Sequence, residues 1–140
     1  MSKIAKAFQD NPKAFISFVT AGDPSLAKTK ELILALEKAG SAIVEIGIPF
    51  SDPVAEGEVI QRANIRALAG GCTTDKIFDM LADLRKTSQV PIVFLTYVNP
   101  IFTYGRDKFF AKCQEVGVDG VIVPDVHLKK KGELVDYCRK

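Results

Sequence analysis

Ala42-Ile43-Val44-Glu45-Ile46-Gly47-Ile48-Pro49-Phe50-Ser51-Asp52-Pro53 is the stretch that decides the fold. Its first seven residues form an apolar, β-branched run, the pattern of a parallel strand covered on both faces. Glu45 interrupts that run. An ionised carboxylate in such a strand is expensive unless something pairs with it or uses it. The run then breaks into the turn-rich loop Pro49–Gly57, which carries Asp52 and Glu56. A buried acid near the end of a strand, followed by an acid-bearing loop, points to an active site rather than a core.

Three more apolar runs of the same kind flank it: Ala14–Thr20, Pro91–Tyr97 and Gly120–Pro124. None alternates cleanly, so each reads as a strand covered on both faces. Helical patterns fill the intervals. The short N-terminal stretch Met1–Phe8 reads as a small amphipathic helix. The next opens at Asp23-Pro24, an N-cap followed by proline at the first helical position. It carries Leu26, Leu32, Ile33 and Leu36 and stops at Gly40. Glu58–Ala69 reads as one helix, with Ile60, Ala63, Ala67 and Leu68 near one face, broken by Gly70-Gly71. Thr73 or Thr74 starts another, carrying Ile77, Phe78, Leu81 and Leu84. A further helix runs from about Arg106 to Val116, with Gly117 as its stop. The last begins near Lys129 and is still running at Lys140.

The order βαβαβαβα predicts an all-parallel α/β architecture. Two folds fit: an open doubly wound sheet, or a (β/α) barrel of TIM type. Polar and turn residues gather at the C-terminal end of every strand, in Thr20–Pro24, Ile48–Pro53, Tyr97–Pro100 and Pro124-Asp125. Both folds place ligands there. No glycine-rich nucleotide motif follows the first strand, which disfavours nucleotide binding. A full eight-unit barrel needs about 250 residues, so the 140 residues here hold about half of one.

Composition excludes several function classes. The 140 residues make one domain at most, and 47% hydrophobic residues with a mean hydropathy of +0.11 are enough to bury a core. Nineteen basic against 17 acidic residues leave +2, too little to imply a nucleic-acid or membrane partner. The run Lys129-Lys130-Lys131 reads as a solvated helix start. No apolar stretch approaches the ~18 residues of a membrane span, and the N-terminus is too short and polar for a signal peptide. Cys72, Cys113 and Cys138 are widely spaced, and there is only one histidine. That argues against a disulfide framework or a metal site and for a cytoplasmic setting.

Glu45 and Glu56 lie 11 positions apart, one in a strand and one in the loop that leaves it. A loop of this kind folds back and brings two carboxylates to one pocket. Apolar walls would raise the pKa of Glu45 and let it shuttle protons near neutral pH. Glu56, if ionised, would hold an N–H or stabilise positive charge. The competing readings are a buried ion pair for Glu45 and an exposed loop acid for Glu56. Phe18, Leu95 and Tyr97 lie near strand ends, where they serve either the core or an aromatic-ring pocket. His127 reads as a loop histidine and the cysteines as packing residues.

Val44–Gly57 followed by Val59-Ile60-Gln61 closely resembles the signature of the tryptophan synthase α chain. Phe18–Pro24, Leu95–Pro100 and Gly117–Asp125 also look like that family, in order and at fitting distances. The resemblance covers the whole chain. It implies a TIM barrel that cleaves indole-3-glycerol phosphate to indole and glyceraldehyde 3-phosphate, a retro-aldol lyase step in tryptophan biosynthesis. It implies no cofactor in this chain; pyridoxal phosphate belongs to a partner β chain of an α2β2 complex, which joins indole to serine. Glu45 matches the family's catalytic glutamate, a proton shuttle acting on C3 of the indole and on the glycerol hydroxyl. Glu56 matches the acid that binds the indole N–H and favours the indolenine tautomer. Phe18, Ile60, Leu95 and Tyr97 match residues lining the indole pocket, and Pro49, Asp52 and Asn99 fall on segments facing the β chain.

Departures from the family pattern are local and global. Glutamate stands at position 56 where aspartate is usual, adding one methylene. Glu58 and His127 stand where proline is common. The family chain also continues through four more βα units, which carry its phosphate-binding and substrate-covering loops. Residues 1–140 are therefore expected to form a single domain, the N-terminal half of a (β/α)8 barrel, cut within the helix after the fourth strand. Such a piece is expected to be poorly active alone. The alternative reading is a non-catalytic half-barrel that self-associates through its open edges.

Overall fold

A strand that must be hydrogen-bonded on both sides recruits neighbours, and here each helical segment returns the chain to the next parallel strand. The computed structural model describes residues 1–127 and 132–139. Its elements run α1 (Lys3–Asp10), β1 (Ile16–Thr20), α2 (Leu26–Lys38), β2 (Ile43–Gly47), α3 (Glu58–Ala69) and α4 (Thr74–Leu84). They continue with β3 (Ile92–Leu95), α5 (Val98–Tyr104), α6 (Arg106–Val116), β4 (Gly120–Ile122) and α7 (Gly132–Cys138). The strands form one parallel sheet in the order β1-β2-β3-β4. This is an α/β fold with four strands in barrel order.

The register sorts the strand residues into rows. Phe18, Glu45, Val93 and Gly120 stand side by side, and two residues on come Thr20, Gly47, Leu95 and Ile122. Between them lies the row Val19, Ile46, Phe94 and Val121. Alternate rows face opposite sides of a sheet. The middle row meets the helices, and Ile46 and Phe94 are fully buried there. The Glu45 row faces inward along the barrel curve, where Phe18, Glu45, Val93 and Leu95 are only half-buried. Ile16 and Ile122 on the same face are 44% and 43% exposed. The expectation that every strand is covered on both faces is therefore corrected, because helices cover the outer face only. Helix α1 closes the N-terminal end of the inner face, with Ile4 against Gly120.

Helices α2, α4 and α6 build the outer layer. Ile77, Phe78, Leu81 and Leu84 of α4 are all buried, as their spacing predicts. Phe78, Phe94, Tyr104 and Phe109 form an aromatic cluster with centroid separations from 5.7 to 6.2 Å. Arg85, just past α4, donates to Val90 O and Gly117 O at 2.7 Å and faces Asp119 at 3.6 Å. It ties the ends of α4 and α6 to the start of β3.

Several boundaries depart from expectation. Asp23-Pro24 does not open α2: their peptide is cis, and Ser25 caps the helix by accepting from Lys28 N. Leu32 and Leu68, expected on apolar faces, are 46% and 38% exposed, and Asn64 is buried on α3 instead. Where turn residues were expected over Tyr97–Pro100, the chain forms helix α5, Val98–Tyr104. Its cap comes from far along the chain, where Asp125 Oδ1 accepts from Val98 N at 3.0 Å. Pro100 sits in the first turn of that helix, where its missing N–H costs nothing. The expected helix start at Lys129, with the run Lys129–Lys131, lies outside the described residues; α7 is seen from Gly132 to Cys138. Cys72 and Cys113 pack as expected, whereas Cys138 is exposed. Among the described residues, no helix is long and apolar enough to cross a membrane.

Candidate active site

Strand β2 carries Glu45 into the inner face, between Phe18 of β1 and Val93 of β3. Among the described residues Glu45 makes no ion pair, so the buried-pair reading is set aside. Burial alone holds its carboxyl above the usual range. The ring of Phe18 lies over Gly47, one row nearer the strand ends. A Cβ at Gly47 would come within 2.7 Å of that ring, so the glycine makes room for it.

The loop after β2 does fold back. The Tyr97 hydroxyl, just past β3, accepts from Ala55 N at 3.3 Å, and the Tyr97 ring packs on Phe50 at 5.4 Å. Burial raises the Tyr97 phenol above its ordinary pKa; the Ala55 N–H opposes this and the neighbouring Glu56 carboxylate adds to it. Glu56 is half-buried rather than an exposed loop acid. Its carboxylate Oε2 accepts from Asn64 Nδ2 at 2.8 Å, and its carbonyl accepts from Gln61 Nε2 at 2.8 Å. Tyr97 stands four residues beyond Val93, the neighbour of Glu45, so Glu56 beside Tyr97 lies nearer the C-terminal ends of the strands than Glu45 does.

The remaining expected residues divide. Leu95 is half-buried on the inner face beside Gly47, and Ile60 is half-buried on α3, which packs on β1. Asp52 and Asn99 are exposed, whereas Pro49 is buried within this chain. Pro49 and Asn99 line one shallow hollow of about 400 Å³ with Phe50 and Pro100. His127 is exposed, as a loop histidine would be. Among the described residues no three His, Cys, Asp or Glu side chains form a metal cluster.

Two features escaped the sequence reading. Asn64 is 3% exposed and was hidden in an apolar helical stripe, with no sequence signal to mark it. Arg66 grips Asp23 with both ends of its guanidinium, at 2.9 and 2.8 Å, and holds the Asp23 carboxyl below the usual range. This clamp fixes α3 against the loop after β1.

A parallel sheet in barrel order, with a desolvated acid inside and loop carboxylates at the C-terminal strand ends, defines a TIM-barrel type of protein. The family model "Tryptophan synthase alpha chain" matches residues 4–140, and the chain belongs to that family. A tryptophan synthase alpha chain from Alkaliphilus metalliredigens is 49% identical over 133 residues, 95% of this chain and 50% of the relative. One from Bacillus cereus is 52% identical over 139 residues, 99% of this chain and 54% of the relative. The alpha subunit structure from Legionella pneumophila superposes with a TM-score of 0.92 at 39% identity, over 99% of this chain and 55% of that one. A chain of the Pyrococcus furiosus tryptophan synthase a2b2 complex gives 0.85 at 38% identity, over 90% of this chain and 51% of that one. The chain thus spans about half the length of the relatives it matches.

Proposed function

We propose that residues 1–140 form one domain, the N-terminal half of a (β/α)8 barrel, and carry the acid–base side of a retro-aldol lyase site. The substrate is indole-3-glycerol phosphate and the products are indole and glyceraldehyde 3-phosphate. The observation that carries this reading is Glu45: a carboxyl without an ion pair among the described residues, raised by burial, on the inner face of a chain of this family. A carboxyl poised upward from its usual range takes and returns protons nearer neutral pH. Glu45 shuttles a proton between C3 of the indole ring and the glycerol hydroxyl. Glu56 accepts the ring N–H and favours the indolenine tautomer, with Phe18, Ile60, Leu95 and Tyr97 around the ring. The chain needs no cofactor of its own. Its partner is a β chain that carries pyridoxal phosphate and is met through the segments of Pro49, Asp52 and Asn99. Three free thiols fit a cytoplasmic setting.

The test is indole release from indole-3-glycerol phosphate by the purified chain, beside Glu45→Gln. Release abolished by that substitution supports the reading, and release that persists overturns it. Restoration of a weak signal by Glu56→Asp would trace the weakness to the extra methylene. The exposed inner face favours a second reading, a half-barrel whose behaviour is self-association. No indole from any of these samples would support it.

A further inference from the structure

Two hydrogen bonds from α3 hold Glu56, and the Tyr97 hydroxyl lies beside its carboxylate. Gln61 and Asn64 are three residues apart, so they share one side of the helix. Gln61 holds the Glu56 carbonyl and Asn64 holds carboxylate Oε2. Glu56 itself precedes the helix, whose N-cap is Gly57. Asn64 lies six residues beyond the first helical position, about 9 Å along the axis. The Glu56 side chain therefore leans back along α3 to meet it, a reach that the extra methylene of glutamate lengthens. The hydrogen bond to Glu56 is the one side-chain hydrogen bond Asn64 makes among the described residues. A buried amide on an apolar helix face costs free energy unless it is paired. Here its donor is spent on one oxygen of one carboxylate.

We infer that Asn64 is a positioning residue: it occupies Oε2 of Glu56 and leaves Oε1 to accept the N–H of the bound indole ring. This rests on the reading that Glu56 receives the ring N–H. Asn64 touches no substrate and acts through Glu56 alone. Without it Oε2 loses its Asn64 donor, and either oxygen can turn toward the ring. The consequence is specific. Loss of Asn64 weakens ligands that donate a ring N–H and spares those that cannot.

Indole and N-methylindole separate these cases. The chain has no tryptophan, so the fluorescence of the added indoles reports binding without background. Binding of both ligands is measured for the unaltered chain, Asn64→Leu and Asn64→Ser, with circular dichroism to establish folding. The expected result is a preference of the unaltered chain for indole that falls about tenfold in both variants, the worth of one hydrogen bond to a charged group. Affinity for N-methylindole stays unchanged. A preference that survives in the variants, or an equal loss of both ligands, overturns the role of Asn64 and leaves Glu56 as proposed. If the unaltered chain shows no preference, or binds neither ligand, the reading of Glu56 fails and this inference with it. Unfolding of both variants would make Asn64 a purely structural residue and also overturn it.

Discussion

A single buried carboxyl group weakens the fold at neutral pH. Burial raises the Glu45 pKa, so the folded chain holds that proton more tightly than the unfolded chain does. The contribution of Glu45 to stability is therefore fully present below the unfolded carboxyl value and is lost as pH rises through the folded one. Replacing it with the neutral isostere removes the penalty. Glu45→Gln is expected to unfold at higher urea than the unaltered chain at neutral pH, with the two midpoints converging at about pH 4. Both are compared at one low protein concentration, because association shifts apparent stability. A lower midpoint for Glu45→Gln at neutral pH would mean that Glu45 has a stabilising partner after all. The penalty matches the general cost of a charged group in a desolvated site. Glu45 was legible in the sequence because one acid in a β-branched run violates the strand pattern. Asn64 was not, since one polar residue among alanines on a helix breaks no periodicity strongly enough to be seen.

At the level of elements, the sequence carries what is local and loses what is long-range. The strands and the glycine stops are local patterns, and α3 and α6 appear at their expected bounds. Helix α5 was missed because its cap, Asp125, lies 27 residues beyond the N–H it accepts from. Asp23-Pro24 carries a helix-start signal, yet Asp23 is drawn to Arg66 and the cap falls to Ser25. Periodicity also misjudges single positions on a good helix. Leu32 and Leu81 both fit apolar stripes, but the first is 46% exposed and the second is fully buried. Leu81→Ala is expected to cost about 2–5 kcal/mol in urea unfolding, since it leaves a cavity between packed helices. Leu32→Ala should stay within about 0.5 kcal/mol, as exposed substitutions do. Equal costs would mean that the outer layer is packed differently around α2.

The molecule as a whole has two unequal faces. Helices bury the outer rows, while the inner rows remain half-exposed, and the edges of β1 and β4 have no neighbouring strand among the described residues. No local pattern records what lies against the second face of a strand, so this openness could not be foreseen from apolar runs alone. An exposed edge offers unpaired N–H and C=O groups, and the apolar surface beside it favours burial. A second copy of the chain satisfies both, and its approach carries Glu45 into the contact. Desolvating an ionised carboxylate opposes that contact and desolvating a protonated one does so far less. Self-association is therefore expected to tighten as pH falls. In sedimentation velocity over a concentration series the chain should pass from monomer to dimer, at lower concentration in acid than at neutral pH. Glu45→Gln should dimerise at neutral pH as the unaltered chain does in acid. Ile122→Lys, which places a charge on the β4 edge, should hold the chain monomeric. A chain that sediments as a monomer throughout, with sharply protected amides, would mean that the inner face is stable in water and that the half-barrel needs no cover.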